Sequence, residues 1–517
     1  MTSYLTPVLM RPFFRWVALP ALAAAAWLAV APSPAAAGSP ATSQEGAARN
    51  FEKTVTLGPG QSVSVDHKFG EVHIHAAPGR DVKISANIRA QANSRSEADS
   101  FADKIRIEVE QASDGVHIRT VYPDEVKKWF SFGSRASYSV DYEITMPADA
   151  PLWVRNSFGN VSTDGIHGFA DIENSQGQLT VRDGGAAHLN DSFGGMEVAG
   201  ASGNVSATNA NGSLRVSDVK GTLDAHNRFG EITASKIQGA VAINGGNGNI
   251  VISDAGAGAT IASSFGSVIL TGVHGPVDCT TTNGRVKGST LPSSVRVRNS
   301  FGEIELSDVG GTVDAETSNG KVTVRDAGGS VTLKSSFGSI EASNLAKGVR
   351  AITANGGIHL TDIGGDAYAK ASFGSVLLER IAGNVIVEDA NGGVTANGIK
   401  GDAGVDTSFG GVSLESVGGK IRVDNHNGAI SVTASRPASG CRDISLETSF
   451  SFIRVRIPDG LGYNVTARTS FGRVFTELPI TATGTVGGEF INGTIGSGGC
   501  QLQLTNANGN IEIAKTP

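Results

Sequence analysis

Through the middle of the chain the apolar residues fall in a frame that repeats every 18 residues. In residues 301–318 they are Ile304, Leu306, Val309, Val313 and Ala315. The next unit repeats them as Val322, Val324, Ala327, Val331 and Leu333, and the one after as Ile340, Ala342, Leu345, Val349 and Ala351. The first and last pair of each unit alternate with polar residues, the period-two signature of a half-buried strand. Turn residues separate the pairs: Asp308, Val309, Gly310 and Gly311 on one side, Ser-Phe-Gly or Asn-Gly on the other. Two short strands and two turns per 18 residues predict one coil of a β-solenoid. Five columns then point inward, at three, five, eight, twelve and fourteen residues past the Phe or Asn of the second turn. One coil cannot bury its apolar face alone, so neighbouring coils must stack.

That Phe or Asn is itself a marker of the repeat. The Phe series is Phe158, Phe193, Phe229, Phe265, Phe301, Phe337, Phe373 and Phe409. Between its members lie Gln176, Asn211, Asn247, Asn283, Asn319, Asn355, Asn391 and Asn427. Gly follows each, and the spacing is 18 with a single 17 between Gln176 and Phe193. Sixteen coils at about 4.8 Å predict a stack on the order of 75 Å. The fold expected is all-β: a single-stranded β-solenoid of about 18 residues per coil, with an N-terminal β-rich cap containing one short helix.

The pattern divides the chain into residues 1–37, an export signal; 38–50, a linker; 51–155, the capping region; 156–435, the regular solenoid; and 436–517, irregular C-terminal coils and cap. The cap helix is expected from about Ser94 to Lys104. Ser94 and Glu97 make a capping box, and Ala98, Phe101, Ala102 and Ile105 share one face. Beyond 435 the markers Phe450, Phe471, Asn492 and Asn508 lose the even spacing. Atypical terminal units are expected, because open end coils are edge strands that would otherwise polymerise.

Composition narrows the class. Of 517 residues 68 are Gly, 39% are hydrophobic and 6% aromatic, too apolar for general disorder and too rich in Gly for a helical domain. Arg11 and Arg15 precede the apolar run 16–30, and Ala35, Ala36 and Ala37 form a small-residue cleavage site. The chain is expected to be exported and cleaved, then periplasmic, cell-surface or secreted, with no stable transmembrane span. The alternative is a retained membrane anchor. No Cys follows the run, which argues against a lipoprotein. Net charge is −7, or −9 without Arg11 and Arg15, and there is no basic stripe for nucleic acid. Cys279 falls on an inward column and reads as a small core residue. Cys441 and Cys500 could pair in an oxidising compartment. Two free thiols remain equally open, since a bond requires Cα atoms within about 7 Å.

The Phe column is the first candidate for function. Facing outward, it is a ridge suited to a polysaccharide, a lipid surface or a partner protein. Facing inward, it fills a corner of the coil while Asn on alternate coils bonds turn backbone. The inward reading is preferred, because a long exposed apolar ridge is a liability for a soluble monomer. A row of Asp183, Asp218, Asp254, Asp326 and Asp362 could suggest calcium, but it lacks the calcium-roll nonapeptide and reads as turn formers. His73 and His75 share a strand face near Asp66 and His67, a weak metal signal without a third ligand. Residues 127–132, Lys-Lys-Trp-Phe-Ser-Phe, fit a cap over the first coil better than a membrane contact. No nucleophile elbow, zincin motif or P-loop occurs. No catalytic, metal or cofactor residues are assigned.

Three segments carry a family resemblance. They are Phe69-Gly70-Glu71-Val72; residues 142–147, Tyr-Glu-Ile-Thr-Met-Pro, leading to Val154-Arg155-Asn156-Ser157-Phe158-Gly159; and the closing Asn506-Ala507-Asn508-Gly509-Asn510-Ile511. In these, residues 51–515 resemble the bacterial adhesin-like family with a DUF4097-type domain. The resemblance implies an extracytoplasmic β-solenoid and supplies no catalytic residues. The function expected is a non-enzymatic surface or envelope scaffold with adhesion-like binding to a glycan, a surface or a protein. The alternatives are a carbohydrate-active β-helix enzyme (a polysaccharide lyase or hydrolase) and an envelope sensor module with a protein ligand.

Overall fold

The computed structural model describes residues 45–123, 137–436, 440–483 and 487–516. The export signal and residues 127–132 lie outside the described residues.

Each regular coil contributes one strand to each of two facing parallel sheets. Val295–Phe301 lies in one sheet, the chain turns at Gly302, and Ile304–Val309 lies in the other. Val313–Asn319 then returns to the first sheet. Register steps by one repeat: Ile304 pairs with Val322, Leu306 with Val324, Val295 with Val313 and Val297 with Ala315. The coil is therefore a flattened, two-sided loop. The five apolar columns fill the space between the sheets, with Ile304, Leu306, Val309, Val313 and Ala315 all buried. Cys279 is buried in the same way, and burial pushes its thiol up to about 12.

Two turn devices close each coil. Seven residues past the marker the backbone enters the left-handed region, as at Asp218, Asp254, Asp308, Asp326 and Asp362, with φ of 54–57°. Asp and Asn tolerate this region better than most residues, and Gly272 takes the same place with φ 66°. The Asp row is thus a turn device. At the other turn the marker Gly residues stack backbone on backbone. A Cβ on Gly302 would lie 2.0 Å from the carbonyl oxygen of Gly284, and one on Gly338 would lie 1.7 Å from that of Gly320. Only Gly permits this approach.

Both ends depart from chain order. The first strand, β1 (Glu45–Thr56), begins inside the segment read as a linker. It leads to β2 (Ser62–Asp66) and β3 (Val72–Ala77), which form a complete coil with its own Phe69-Gly70 turn. The chain then passes through β4 (Asp81–Ala92), α1 (Arg95–Lys104) and the antiparallel hairpin of β5 (Arg106–Gln111) and β6 (Gly115–Val121) to β7 (Ser137–Pro147), and β6 and β7 pair in parallel with one side of β2 and β3. The regular stack continues on the other side, where β8 (Leu152–Phe158) pairs in parallel with β2. Ser94 caps α1 by accepting a hydrogen bond from the Glu97 N–H, and Ala98, Phe101 and Ala102 are buried. The antiparallel run β1–β4–β7 covers this end.

At the other end Cys500–Asn508 inserts between Ile444–Phe450 and Tyr463–Phe471, pairing in parallel with both. Asn492 is not a coil marker. It lies on Phe490–Ile495, which runs antiparallel to Tyr463–Phe471 and faces Thr466. A disulfide joins Cys441 to Cys500, with Cα atoms 5.7 Å apart and a sequence separation of 59. It ties down the coil that is inserted out of sequence order at this end. Replacing both cysteines by serine is expected to cost about 2–5 kcal/mol. The loss should appear as faster hydrogen exchange in Ile444–Phe450 and Cys500–Asn508, with the regular coils unchanged.

Candidate functional site

The Phe markers point outward, against the inward reading. Phe158, Phe193, Phe229, Phe265, Phe301, Phe337, Phe373 and Phe409 are 39–65% exposed, and Phe450 and Phe471 continue the row. The physical reason lies at the corner they were expected to fill. The stacked Gly backbones close it, and a sixth inward column, two residues before each marker, occupies what remains. That column is mostly polar, with Gly245 and Ala371 as exceptions: Asn209, Asn227, Asn299, Thr317, Ser335, Thr353 and Asn425 are all buried. Each donates to the marker Gly carbonyl one coil back, as Asn299 Nδ2 does to Gly284 at 2.8 Å and Thr353 Oγ1 to Gly338 at 3.0 Å. No volume is left for a phenyl ring. The column was detectable in sequence as the continuation of the twelve, fourteen alternation to sixteen, but it is invisible to hydrophobicity.

The spacer residues lie in register between the Phe residues: Phe265 pairs with Asn283, and Asn283 with Phe301. Their amides hold turn backbone, as Asn355 Nδ2 does to Ser336 O at 3.2 Å and Asn391 Nδ2 to Ser372 O at 3.0 Å. Successive Phe residues are therefore about 9.6 Å apart, two strand spacings. The inserted C-terminal coil keeps this order, because Asn508 pairs with both Phe450 and Phe471. The alternation thus belongs to the stacked column rather than to the linear sequence. At the N-terminal end Phe69 and Phe158 occupy adjacent coils and stack at 5.1 Å with nearly parallel rings. Phe69 there meets Tyr122 and Tyr138 edge-on, which closes the ridge in an aromatic cluster.

The histidines do not converge. His73 bonds Ser162 and Glu71, at 2.7 and 3.1 Å, and His75 bonds Glu143 at 3.1 Å. His67 points into the cap, where its Nδ1 meets Thr120 Oγ1 at 3.0 Å, and burial lowers its pKa to about 4. Among the described residues no group of three or more His, Cys, Asp or Glu could hold a metal ion. A concavity of about 470 Å³ lies on the outer face at the N-terminal edge, lined by Asp66, Glu108, Glu110, Arg119, Trp153 and Arg155 among others. Its charges are partly self-paired: Arg119 Nε lies 3.3 Å from Asp66, and Arg155 Nε lies 3.5 Å from Glu173. No helix of the described residues is long and apolar enough to cross a membrane.

Residues 293–514 match the model of the Toastrack DUF4097 family. That span is narrower than the resemblance drawn over 51–515. Among solved structures, the chain is similar to one titled a "putative cell adhesion protein" from Clostridium sporogenes ATCC 15579. It is 8% identical, with 90% of this chain and 100% of that chain covered and a TM-score of 0.14, too low to support an argument. No curated protein matches.

Proposed function

We propose that this chain, with its Toastrack DUF4097 match over residues 293–514, is an exported, non-enzymatic β-solenoid scaffold. Its phenylalanine ridge is the surface that binds in an adhesion-like role. The observation that carries the reading is the outward direction of the Phe column. The corner beneath is sealed without it by Gly backbone and by hydrogen-bonded Asn, Thr and Ser. The phenyl rings therefore contribute little to folding, and a contiguous exposed apolar row is the usual mark of an interaction surface. Export is supported by the basic, apolar and Ala-rich order of residues 1–37 and by the Cys441–Cys500 disulfide, which belongs in an oxidising compartment.

The test is the double variant Phe301→Ser with Phe337→Ser. Binding to envelope or glycan-coated surfaces is expected to fall at least tenfold, the equivalent of about 1.4 kcal/mol. The melting temperature should move by no more than a few degrees, as for other surface changes. A large drop in melting temperature would return the Phe column to a structural role and sink the reading.

A further inference from the structure

We propose that the ridge docks against the ridge of a second copy of this chain, in an antiparallel two-fold dimer centred between Phe337 and Phe450. The proposal rests on the reading of the ridge as a binding surface and names its partner.

The first argument is spacing. Phe residues about 9.6 Å apart leave a gap over each Asn coil. A ring inserted midway sits about 4.8 Å from each neighbour. Aromatic pairs favour centroid separations of about 4.5–7 Å. This chain already makes one such contact where Phe residues fall on adjacent coils, Phe69 on Phe158 at 5.1 Å. A partner that fills every gap must present aromatic groups with the same two-coil period. This ridge does so, and reversing its direction leaves an alternating column unchanged. Two copies can therefore interdigitate about a two-fold axis, with the same patch used on both sides.

The second argument is charge. Between residues 336 and 411 the positions flanking the marker and its Gly are small and uncharged, among them Ser336, Ser339, Ala354, Ser372, Ser375 and Ala390. Upstream, the same positions carry Glu231, Arg285, Glu303 and Lys321. Those charges have partners on their own surface, as in Arg285–Glu303 and Lys321–Glu341, each at 2.7 Å. A chain of net charge −7 thus has a strip on which two copies can meet without opposing like charges. The same strip bears well-exposed rings, Phe337 at 65%, Phe373 at 59% and Phe409 at 52%, and Phe450 at 54% continues the row beyond His426 and Asn427.

The third argument is area. Four rings a little more than half exposed, at about 200 Å² each, present about 450 Å² per copy and ~900 Å² for a pair. The Ser, Ala and Gly shoulders bring the total to about 1,000–1,200 Å², the small end of specific interfaces. A reversible dimer with a micromolar dissociation constant is expected.

Analytical ultracentrifugation of the mature chain from about 1 to 200 μM brackets that range. A monomer–dimer equilibrium is expected. Phe337→Asn with Phe373→Asn and Phe409→Asn should leave a folded monomer, since Asn is the residue of the alternate coils. Ser375→Glu alone should weaken the dimer at least tenfold by placing two carboxylates on the strip. Phe158→Asn with Phe193→Asn, outside the strip, should leave it intact. A wild-type chain that stays monomeric throughout, forms open-ended polymers, or dimerises regardless of Ser375→Glu overturns the proposal. These outcomes leave the binding-surface reading standing; unfolding of the triple Phe variant is what would sink that reading, and Ser375→Glu still decides the dimer.

Discussion

Gly338→Ala is expected to destabilise the solenoid by about 3 kcal/mol or more, while its neighbour Phe337→Asn costs about 1 kcal/mol or less. The two residues form one marker dipeptide, yet they face opposite demands. A methyl group at position 338 would sit 1.7 Å from the Gly320 carbonyl oxygen and 2.2 Å from its carbon. Both are backbone atoms within the ladder of stacked coils, so the strain cannot be relieved by turning a side chain. Two coils would have to separate, which would stretch the hydrogen bond between them from Ser335 Oγ to the Gly320 carbonyl, 3.0 Å long. Asn at position 337 meets none of this, because the side chain leaves the coil. Hydrogen exchange resolves the comparison. Gly338→Ala should raise exchange in Val331–Ser335 and Ile340–Leu345 and in the coils on either side, and Phe337→Asn should not. Equal effects from both substitutions would mean that the ring, and not the glycine, holds the corner.

The contrast marks how far the sequence could be read. The coil length, the five apolar columns, the capped helix and the turn role of the Asp row all follow from rules that act locally or at a fixed period. They could be read from residues such as Ile304, Ser94 and Asp308. The direction of Phe301 could not. A marker at a turn belongs to neither strand's alternation, so period gives its place and not its orientation. What decides the orientation is whether the corner has room, and that depends on Gly284 and Asn299, residues with no hydrophobic signature. Terminal order was hidden for a related reason. The segments Phe69-Gly70 and Asn508-Gly509 are visible as markers, but the coils they join in the stack are chosen by pairing in space. Asn508 belongs between Phe450 and Phe471, although it follows both in the chain. Only the interval from Phe450 to Phe471 spans that insertion, since the coils of Asn427 and Phe450 pair directly.

Asp191→Asn is expected to stabilise the protein at neutral pH by about 3 kcal/mol and to have almost no effect near pH 4. Asp191 stands in the inward polar column, where its neighbours across the sheet are Asn174 and Asn209. It is 1% exposed, and no donor meets either carboxylate oxygen in good hydrogen-bond geometry. Residues at this position normally donate to a Gly carbonyl, as Asn209 does to Gly194 at 3.0 Å. A carboxylate cannot donate, but a carboxylic acid can. Burial therefore pushes the pKa of Asp191 up to about 6 from an ordinary 3.8, only partly offset by the backbone N–H groups of Ser192 and Phe193. Because the folded-state value lies above the unfolded one, the folded state holds the proton more tightly. Its stability is complete below the unfolded value of 3.8 and is lost as pH rises through about 6. The separation of the two values corresponds to about 3 kcal/mol at pH 7. Asn at 191 removes the charge and supplies the missing donor. It also extends the asparagine run in which Asn156 Nδ2 donates to Asn174 Oδ1 at 3.3 Å. Asp389 occupies the same column, with both oxygens unpartnered and its pKa raised by burial, so Asp389→Asn should add to the effect. Melting curves of the wild type and both variants from about pH 4 to 8 provide the measurement. The stability gained by the double variant over the wild type should be near zero at about pH 4 and grow as pH rises toward 7; His67, whose lowered pKa makes both proteins gain stability over the same range, cancels in that difference. A difference that does not change with pH would show that Asp191 is not held as a buried acid.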